Sequence, residues 1–192
     1  IAWHHHAYRL CDKGWVQEID QNLICQDLIR FGEIAQQFSL TTVRMGWGWH
    51  TNKSMSLMND LGFKIDSSAI PRPCYIWENK VKDWSRASNK PYHPSETDYQ
   101  VSKEPSLNIL EIPITTTSIH SPGDDDGILR YLNVAYHPHV FDKALSQLDD
   151  LSLVVSITHP YEFLPISASH PLYGFNAQVL RDNLKYAKNL GY

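Results

Sequence analysis

Residues 41–68 read TTVRMGWGWHTNKSMSLMNDLGFKIDSS, and this stretch indicates the fold class. TTVRM (41–45) and FKID (63–66) are short and rich in apolar residues, which predicts two strands. Between them, apolar residues recur at helical spacing over 51–61, and Gly62 is a typical C-terminal stop for a helix. A strand, a helix and a second strand in this order form the unit from which parallel sheets are built.

The same alternation continues on both sides of this stretch. Strands are predicted over 1–6, 107–115 and 152–158, and helices over 19–38, 136–151 and 177–190. SLVVSIT (152–158) is the clearest strand, because a nearly continuous apolar run is typical of a strand buried on both faces. A long irregular excursion, 67–107, is rich in Pro, Ser, Trp and Tyr. The order predicts an α/β fold with parallel strands, either a barrel or an open doubly wound sheet.

Composition limits the classes of protein to which the chain can belong. The 192 residues suit a single domain over 1–192. A net charge of −4 without a Lys/Arg cluster argues against a nucleic-acid partner. No stretch approaches the roughly 18 apolar residues of a membrane helix. Cys11, Cys25 and Cys74 are widely spaced, which argues against a disulfide framework and a cysteine zinc site and favours a cytoplasmic location.

Polar and aromatic side chains follow nearly every predicted strand. Because the carboxyl ends of parallel strands meet at one rim, these side chains are expected to share a site. The candidates are His4, His6, Arg44, Trp47, Trp49, His50, Asp66 and His159.

The three consecutive histidines of WHHH (3–6) are not equivalent in a strand. Successive side chains point to opposite faces, so His4 and His6 share one face and His5 lies on the other. Two imidazoles on one face can chelate a single cation, and a catalytic zinc ion needs about three protein ligands. Asp66 or a residue preceding Ile1 would be the third ligand. The alternatives are hydrogen-bonded strand histidines or the remnant of an affinity tag, which the apolar surroundings disfavour.

Two further residues have the chemistry of a catalytic site. His159 follows the clearest strand, in SITHPYEF, and is suited to general acid or base catalysis. Its alternative role is a hydrogen bond that caps the strand end. Arg44 lies at the end of an apolar strand, where a charged side chain needs a partner. A carboxylate at the site could be that partner, or Arg44 could form a purely structural ion pair, and the sequence favours neither.

Four segments, taken in order, resemble one known superfamily. They are WHHHAYRL (3–10), VRMGWGWHTNKSMSLMNDLGFKIDSSAIP (43–71), LEIPITT (110–116) and ITHPYEF (157–163). This order resembles the polysaccharide deacetylase (NodB-homology) superfamily, and more narrowly the divergent deacetylase-like proteins of O-antigen and capsule biosynthesis. Arg44 and the run from Gly62 to Ser68 match the Arg-bearing motif and Gly-Phe-x-x-Asp-Ser-Ser, and His159 matches the hydrophobic-x-His motif.

The resemblance implies a distorted (β/α)7-type barrel, incomplete in this chain. It also implies a carbohydrate deacetylase, a hydrolase acting on C–N bonds other than peptide bonds, that removes an N- or O-acyl group from a sugar. His4 and His6 would hold a divalent metal, zinc, while His159 protonates the leaving group and Arg44 orients an aspartate base. The residues that would bind the carbohydrate substrate are Trp47, Trp49, His50 and Asp66.

The chain also departs from the family pattern. No Asp-Asp pair precedes His4, the residue four positions after His4 is Tyr8, and Glu111 stands in the place of an Asp/Trp motif. A fragment lacking the Asp-Asp strand would explain the first departure. A non-catalytic carbohydrate-binding domain on a degenerate barrel is the alternative function, and glycosidic hydrolysis by Asp66 and Glu111 is a third.

Overall fold

The computed structural model describes residues 2–12, 14–77, 80–122, 124, 128–148, 153–165 and 170–192. The chain forms two compact units, Ile1–Pro113 and Ile114–Tyr192. The expectation of one domain over 1–192 stays a prediction. Within the described ranges, no helix is long and apolar enough to cross a membrane.

The first unit is built on a parallel sheet. Its elements are β1 (Trp3–His5), β2 (Tyr8–Cys11), β3 (Gly14–Gln17), α1 (Gln21–Gln37), β4 (Thr42–Met45), α2 (Asn52–Asp60), β5 (Ile65–Asp66), β6 (Tyr75–Trp77), β7 (Lys80–Lys82) and β8 (Leu110–Glu111). Four strands pair in parallel in the order β1-β4-β5-β8, which confirms the predicted α/β class. The pairs β2–β3 and β6–β7 are antiparallel hairpins that the sequence reading did not predict.

Local signals explain both helices of this unit. Asp20 caps α1, because its carboxylate accepts hydrogen bonds from the N–H groups of Asn22 and Leu23. A capping box between Thr51 and Ser54 begins α2. The two helices pack against each other, and both confirm the predicted helices to within a few residues.

The predicted strand over 107–115 is much shorter in the structure. Only Leu110–Glu111 pairs with β5. The N–H groups of Asn108 and Ile109 instead donate to the side-chain oxygen of Asn59, 2.9 and 3.2 Å away. The Asn59 side chain, on α2, therefore accepts hydrogen bonds from N–H groups that a longer strand would have paired within the sheet.

The second unit packs two helices with a hairpin. Its elements are β9 (Thr116–Ile119), β10 (Ile128–Tyr131), α3 (Pro138–Leu145) and α4 (Ala177–Asn189). The strands β9 and β10 are antiparallel, and α3 packs against both α4 and β9. The buried core of this unit contains Ile119, Leu132, Tyr136, Phe141, Ala144, Leu145, Leu148 and Leu172.

The prediction of a regular strand over 152–158 is wrong for its described part, 153–158. The segment does bond to its neighbours: Thr115 N donates to Val155 O at 3.0 Å, and Ile157 N donates to Leu132 O at 3.1 Å. However, Val155 N donates to the Thr115 hydroxyl at 2.9 Å rather than to a backbone carbonyl. The Thr115 hydroxyl thus takes the place of a backbone carbonyl in the hydrogen bonds between the segments. The segment is also only partly buried.

Candidate functional site

His4 and His6 lie side by side, on the shared face that alternation along the strand predicted over 1–6 would give them. Their Nε2 atoms lie 3.0 Å apart, and the two rings meet at 89°. Two nitrogens on one tetrahedral zinc ion stand roughly 3.3 Å apart, given Zn–N bonds of about 2.0 Å. The two imidazoles therefore present their nitrogens at nearly the spacing that one metal ion requires.

The tautomer of His4 is fixed by the neighbouring strand. His4 lies opposite Arg44 in the β1–β4 register, and its Nδ1 is 3.0 Å from the Arg44 carbonyl oxygen. A carbonyl oxygen only accepts, so Nδ1 of His4 carries the proton and its Nε2 lone pair accepts a hydrogen bond from the Nε2–H group of His6. Metal-binding histidines are commonly oriented by such a bond from the second ring nitrogen.

His6 lies among aromatic rings and against a glycine. Its ring stacks on Tyr8 at 5.6 Å and meets Trp47 edge-on at 5.5 Å. A Cβ atom on Gly46 would come within 2.1 Å of His6 Nδ1, so only glycine leaves room for the ring in this position. Lys82 Nζ lies 5.2 Å from the centre of the Trp47 ring, which is cation–π distance.

His5 belongs to the core rather than to the site. Its ring lies 4.8 Å from Trp3 and 6.3 Å from Phe31, and the side chain is buried. Burial lowers the pKa of His5 to about 4, and the charges of His6 and His4 add to this shift. The face opposite His4 and His6 is therefore apolar and keeps His5 neutral.

Asp66, the expected third ligand, is committed elsewhere. It is fully buried, accepts a hydrogen bond from the Ser68 hydroxyl at 2.5 Å, and lies 3.0 Å from His50 Nε2. In the part of the chain that the structure describes, no group of three or more His, Cys, Asp or Glu residues could hold a metal ion. Among the described residues, His4 and His6 therefore have no third His, Cys, Asp or Glu beside them, and their role as metal ligands stays a prediction.

Asp66 and Glu111 form a buried carboxyl pair. Glu111 Oε1 accepts the N–H groups of Ser68 and Ala69 at 3.1 and 2.9 Å. Burial, followed by the charge of Asp66, raises the pKa of Glu111 well above its usual range. Burial alone would raise the pKa of Asp66, but the charge of His50 and hydrogen bonds from His50, Glu111 and Ser68 lower it. The pair therefore shares one proton, held on Glu111.

Arg44 bonds to the loop that follows β5. Its Nε donates to the Ser67 carbonyl at 2.7 Å, and its Nη2 donates to the Ser67 hydroxyl at 2.9 Å. Burial lowers the pKa of Arg44, and the charges of Asp66 and Glu111 oppose that shift. Arg44 thus bonds to the ends of both neighbouring strands: its side chain bonds to the loop after β5, and its backbone carbonyl orients His4 on β1. Its expected role of orienting an aspartate base stays a prediction.

The predicted substrate-binding residues differ in how far their side chains are buried. Trp49, His50 and Asp66 are all buried, whereas Trp47 is partly exposed beside His6. His50 is enclosed by the rings of Trp84 and Tyr99, 6.0 and 6.5 Å away. The structure joins His50 directly to Asp66, and contact of the buried three with a substrate stays a prediction.

His159 lies in the second unit and has a partner that the sequence reading missed. Its Nδ1 is 3.1 Å from an oxygen of Glu162, which is buried, while the His159 side chain is 46% exposed. The signal was present in the sequence: proline after His159 opens a turn of 3-10 helix, Pro160–Phe163, and places the residue three positions on beside the histidine.

Membership of the deacetylase superfamily rests on the quoted motifs and stays a prediction. Comparison with known protein families, with curated proteins and with solved structures finds no match to this chain.

Proposed function

We propose that this protein is a metal-dependent hydrolase that removes an N- or O-acyl group from a sugar, with the distorted (β/α)7 barrel that its motifs imply. The observation that carries the proposal is the 3.0 Å approach of the Nε2 atoms of His4 and His6. Two neutral imidazoles at this spacing can chelate zinc or another divalent transition metal when the ion takes the place of the proton that His6 Nε2 now donates to His4 Nε2.

The chain's own groups would bind and orient the reactants. His4 and His6 would hold the ion, and the Arg44 carbonyl keeps the first of them in the tautomer that can bind metal. A bound zinc ion polarises a carbonyl group and lowers the pKa of a bound water molecule. Tyr8 and Trp47 flank His6 and offer flat ring faces of the kind that pack against sugars. His159 keeps its proposed role of proton donor to the leaving group.

The partner in this proposal is a carbohydrate, and the location is the cytoplasm. Three free cysteines, Cys11, Cys25 and Cys74, support a reducing compartment.

A second candidate is a carbohydrate-binding domain without catalysis. The cluster of Tyr8, His6 and Trp47 favours it, because the three rings contact one another at 5.5 to 6.0 Å and could receive a sugar without a metal ion. The two candidates differ in whether zinc is bound and whether an acyl group is released.

Calorimetric titration of the purified chain with zinc tests the first candidate. We expect binding of one equivalent, weakened at least about tenfold by His4→Ala and by His6→Ala. His139→Ala is the matched control: it belongs to another His-x-His pair, in which the rings stack at 15° and His137 Nε2 is bonded to the His170 carbonyl. Unchanged zinc affinity in both His4→Ala and His6→Ala would exclude this pair as the metal site.

Activity is then measured with the zinc-loaded protein as acetate released from N-acetylated and O-acetylated oligosaccharides. Release that disappears with His4→Ala supports the hydrolase. Binding of these oligosaccharides without acetate release, equal with and without zinc, supports the carbohydrate-binding domain instead.

A further inference from the structure

A histidine and a buried carboxylate are joined at the turn Pro160–Phe163 of the second unit. His159 is half-exposed, whereas Glu162 is 1% exposed. The Nδ1 atom of His159 lies 3.1 Å from Glu162 Oε1. The ring of Tyr161 stacks on the imidazole at 5.5 Å and 22°. The imidazole is therefore held on one side by a carboxylate and on a face by an aromatic ring.

The two oxygens of Glu162 have different partners. Oε2 accepts three hydrogen bonds of 2.9 Å, from the backbone N–H of His159, the hydroxyl of Thr158 and the side-chain amide of Asn133. Oε1 faces the imidazole. The bond from the His159 N–H group that caps the turn goes to Oε2, whereas Oε1 faces the ring.

This arrangement decides which ring nitrogen carries a proton. Glu162 as a carboxylate can only accept, so Nδ1 of His159 is the donor. The lone pair of the neutral ring is then on Nε2, the nitrogen that Glu162 does not engage. The phenols of Tyr131, Tyr136 and Tyr173 stay neutral, because burial above all, then their interaction with one another, and to a lesser extent the charge of Glu162, raises their pKa.

We propose that Glu162 is the positioning residue of His159 and makes Nε2 the nitrogen that exchanges protons with a reacting group. The identity of that group rests on the proposed function. In acyl hydrolysis, the Nε2 proton of the imidazolium moves to the leaving nitrogen or oxygen as its bond to the acyl carbon breaks. The electron pair of that bond stays on the leaving atom, and the oxygen of water remains on the acyl carbon. The proton that this water loses passes to solvent, Nε2 takes up a new proton from solvent, and Nδ1 keeps its proton throughout.

Long-range proton–nitrogen NMR of the ¹⁵N-histidine-labelled protein tests the proposal without any substrate. Each ring nitrogen shifts according to whether it carries the proton, so the tautomer of neutral His159 is read directly. His159→Gln identifies the signal. We expect the Nδ1–H tautomer in the wild-type protein, and finding Nε2–H there would overturn the proposal even if no variant folds.

Glu162→Gln reverses the expected tautomer. The glutamine carbonyl takes the place of Oε2, because three donors converge there, and its NH₂ group then faces Nδ1. The imidazole must accept at Nδ1 and carry its proton on Nε2. Thr158→Val is the matched control, since it removes one donor to Oε2 and leaves the contact with the ring intact; it should keep the Nδ1–H tautomer. An unchanged tautomer in a folded Glu162→Gln protein would contradict the proposal.

Kinetics separate this inference from the proposed function. If the protein releases acetate from acetylated oligosaccharides, Glu162→Gln should lower kcat by on the order of 10³-fold while KM changes little, since the wrong tautomer cannot deliver the proton. A switched tautomer in a protein that releases no acetate would sustain the positioning role and defeat the hydrolase. Full kcat in Glu162→Gln with a switched tautomer would show that Nε2 does not serve the reaction.

Discussion

The close approach of His4 and His6 depends on a residue that carries no functional group. His6 keeps its nitrogen near that of His4 because its ring occupies the space where a side chain on Gly46 would begin. That contact joins the end of β1 to the end of β4, far apart in sequence. Alternation within one strand is local and predicted the shared face of His4 and His6, but the sequence held no signal for the glycine beneath the ring.

Gly46→Ala should therefore separate the two imidazoles. The new methyl group would lie 2.1 Å from His6 Nδ1, so the ring must rotate away. We expect zinc affinity to fall at least about tenfold, measured by calorimetry. A double-mutant cycle provides the control, because Gly46→Ala should cost nothing further in the His6→Ala protein. Equal zinc affinity in the wild type and Gly46→Ala would show that the ring position does not matter.

At the scale of elements, the helices were predictable and part of the sheet was not. The signals of α1 and α2 are caps and apolar spacing within the element itself. Where a strand ends depends on side chains distant in sequence. The Asn59 side chain accepts hydrogen bonds from the N–H groups of Asn108 and Ile109, and the Thr115 hydroxyl accepts one from the N–H group of Val155. An apolar run shows that a segment can be extended, but it cannot show which acceptor its N–H groups will find.

The first turn of α2 also supports the buried polar network. The Ser54 hydroxyl accepts from Thr51 N at 2.9 Å and lies 3.0 Å from His50 Nδ1. Since His50 contacts Asp66 through its other nitrogen, the helix cap and the carboxyl pair are parts of one hydrogen-bonded cluster. The apolar spacing over 51–61 predicted a helix that starts here, but not that a serine of its first turn would contact a histidine.

Ser54→Ala should destabilise the protein more than an ordinary loss of a cap. It breaks the capping box and leaves His50 Nδ1, in a fully buried side chain, without its hydroxyl contact. We expect the free energy of unfolding to fall by about 1–3 kcal/mol in urea denaturation. Ser56→Ala, the same change two residues along α2, is the control and should change it by less than about 0.5 kcal/mol. Equal effects of the two would mean that the cluster contributes nothing beyond helix propensity.

At the scale of the whole molecule, the carboxyl pair links folding to pH. Asp66 and Glu111 lie opposite each other on β5 and β8, so the parallel sheet itself brings two carboxyl groups together. Motif spacing identified Asp66 as a rim residue, but only the register shows that Glu111 faces it. The raised pKa of Glu111 makes the folded state hold a proton that the unfolded chain releases above its ordinary value near 4.5.

The sign of the pH effect follows from the two shifts. For Glu111, with its raised pKa, the free energy of unfolding falls as the pH rises above about 4.5, by at most about 1.4 kcal/mol per pH unit, until the pH passes the raised value. For Asp66, with its lowered pKa, stability is instead lost as the pH falls below the ordinary value of 3.8. Between pH 5 and 8 the proton on Glu111 therefore dominates the contribution of the pair.

Glu111→Gln should remove the fall in the free energy of unfolding as the pH rises from 5 to 8. The amide keeps an oxygen for the N–H groups of Ser68 and Ala69, places an N–H group where the shared proton was, and does not ionise. Urea unfolding followed by tryptophan fluorescence from pH 5 to 8 reports the first unit, because all six tryptophans lie there. We expect a flatter pH profile for Glu111→Gln than for the wild type, and an unchanged profile for Glu33→Gln, an exposed position on α1. If Glu111→Gln loses stability with pH as steeply as the wild type, the pair does not hold a shared proton, and the loop from Ser67 to Ala69 must be anchored by an ionised Glu111.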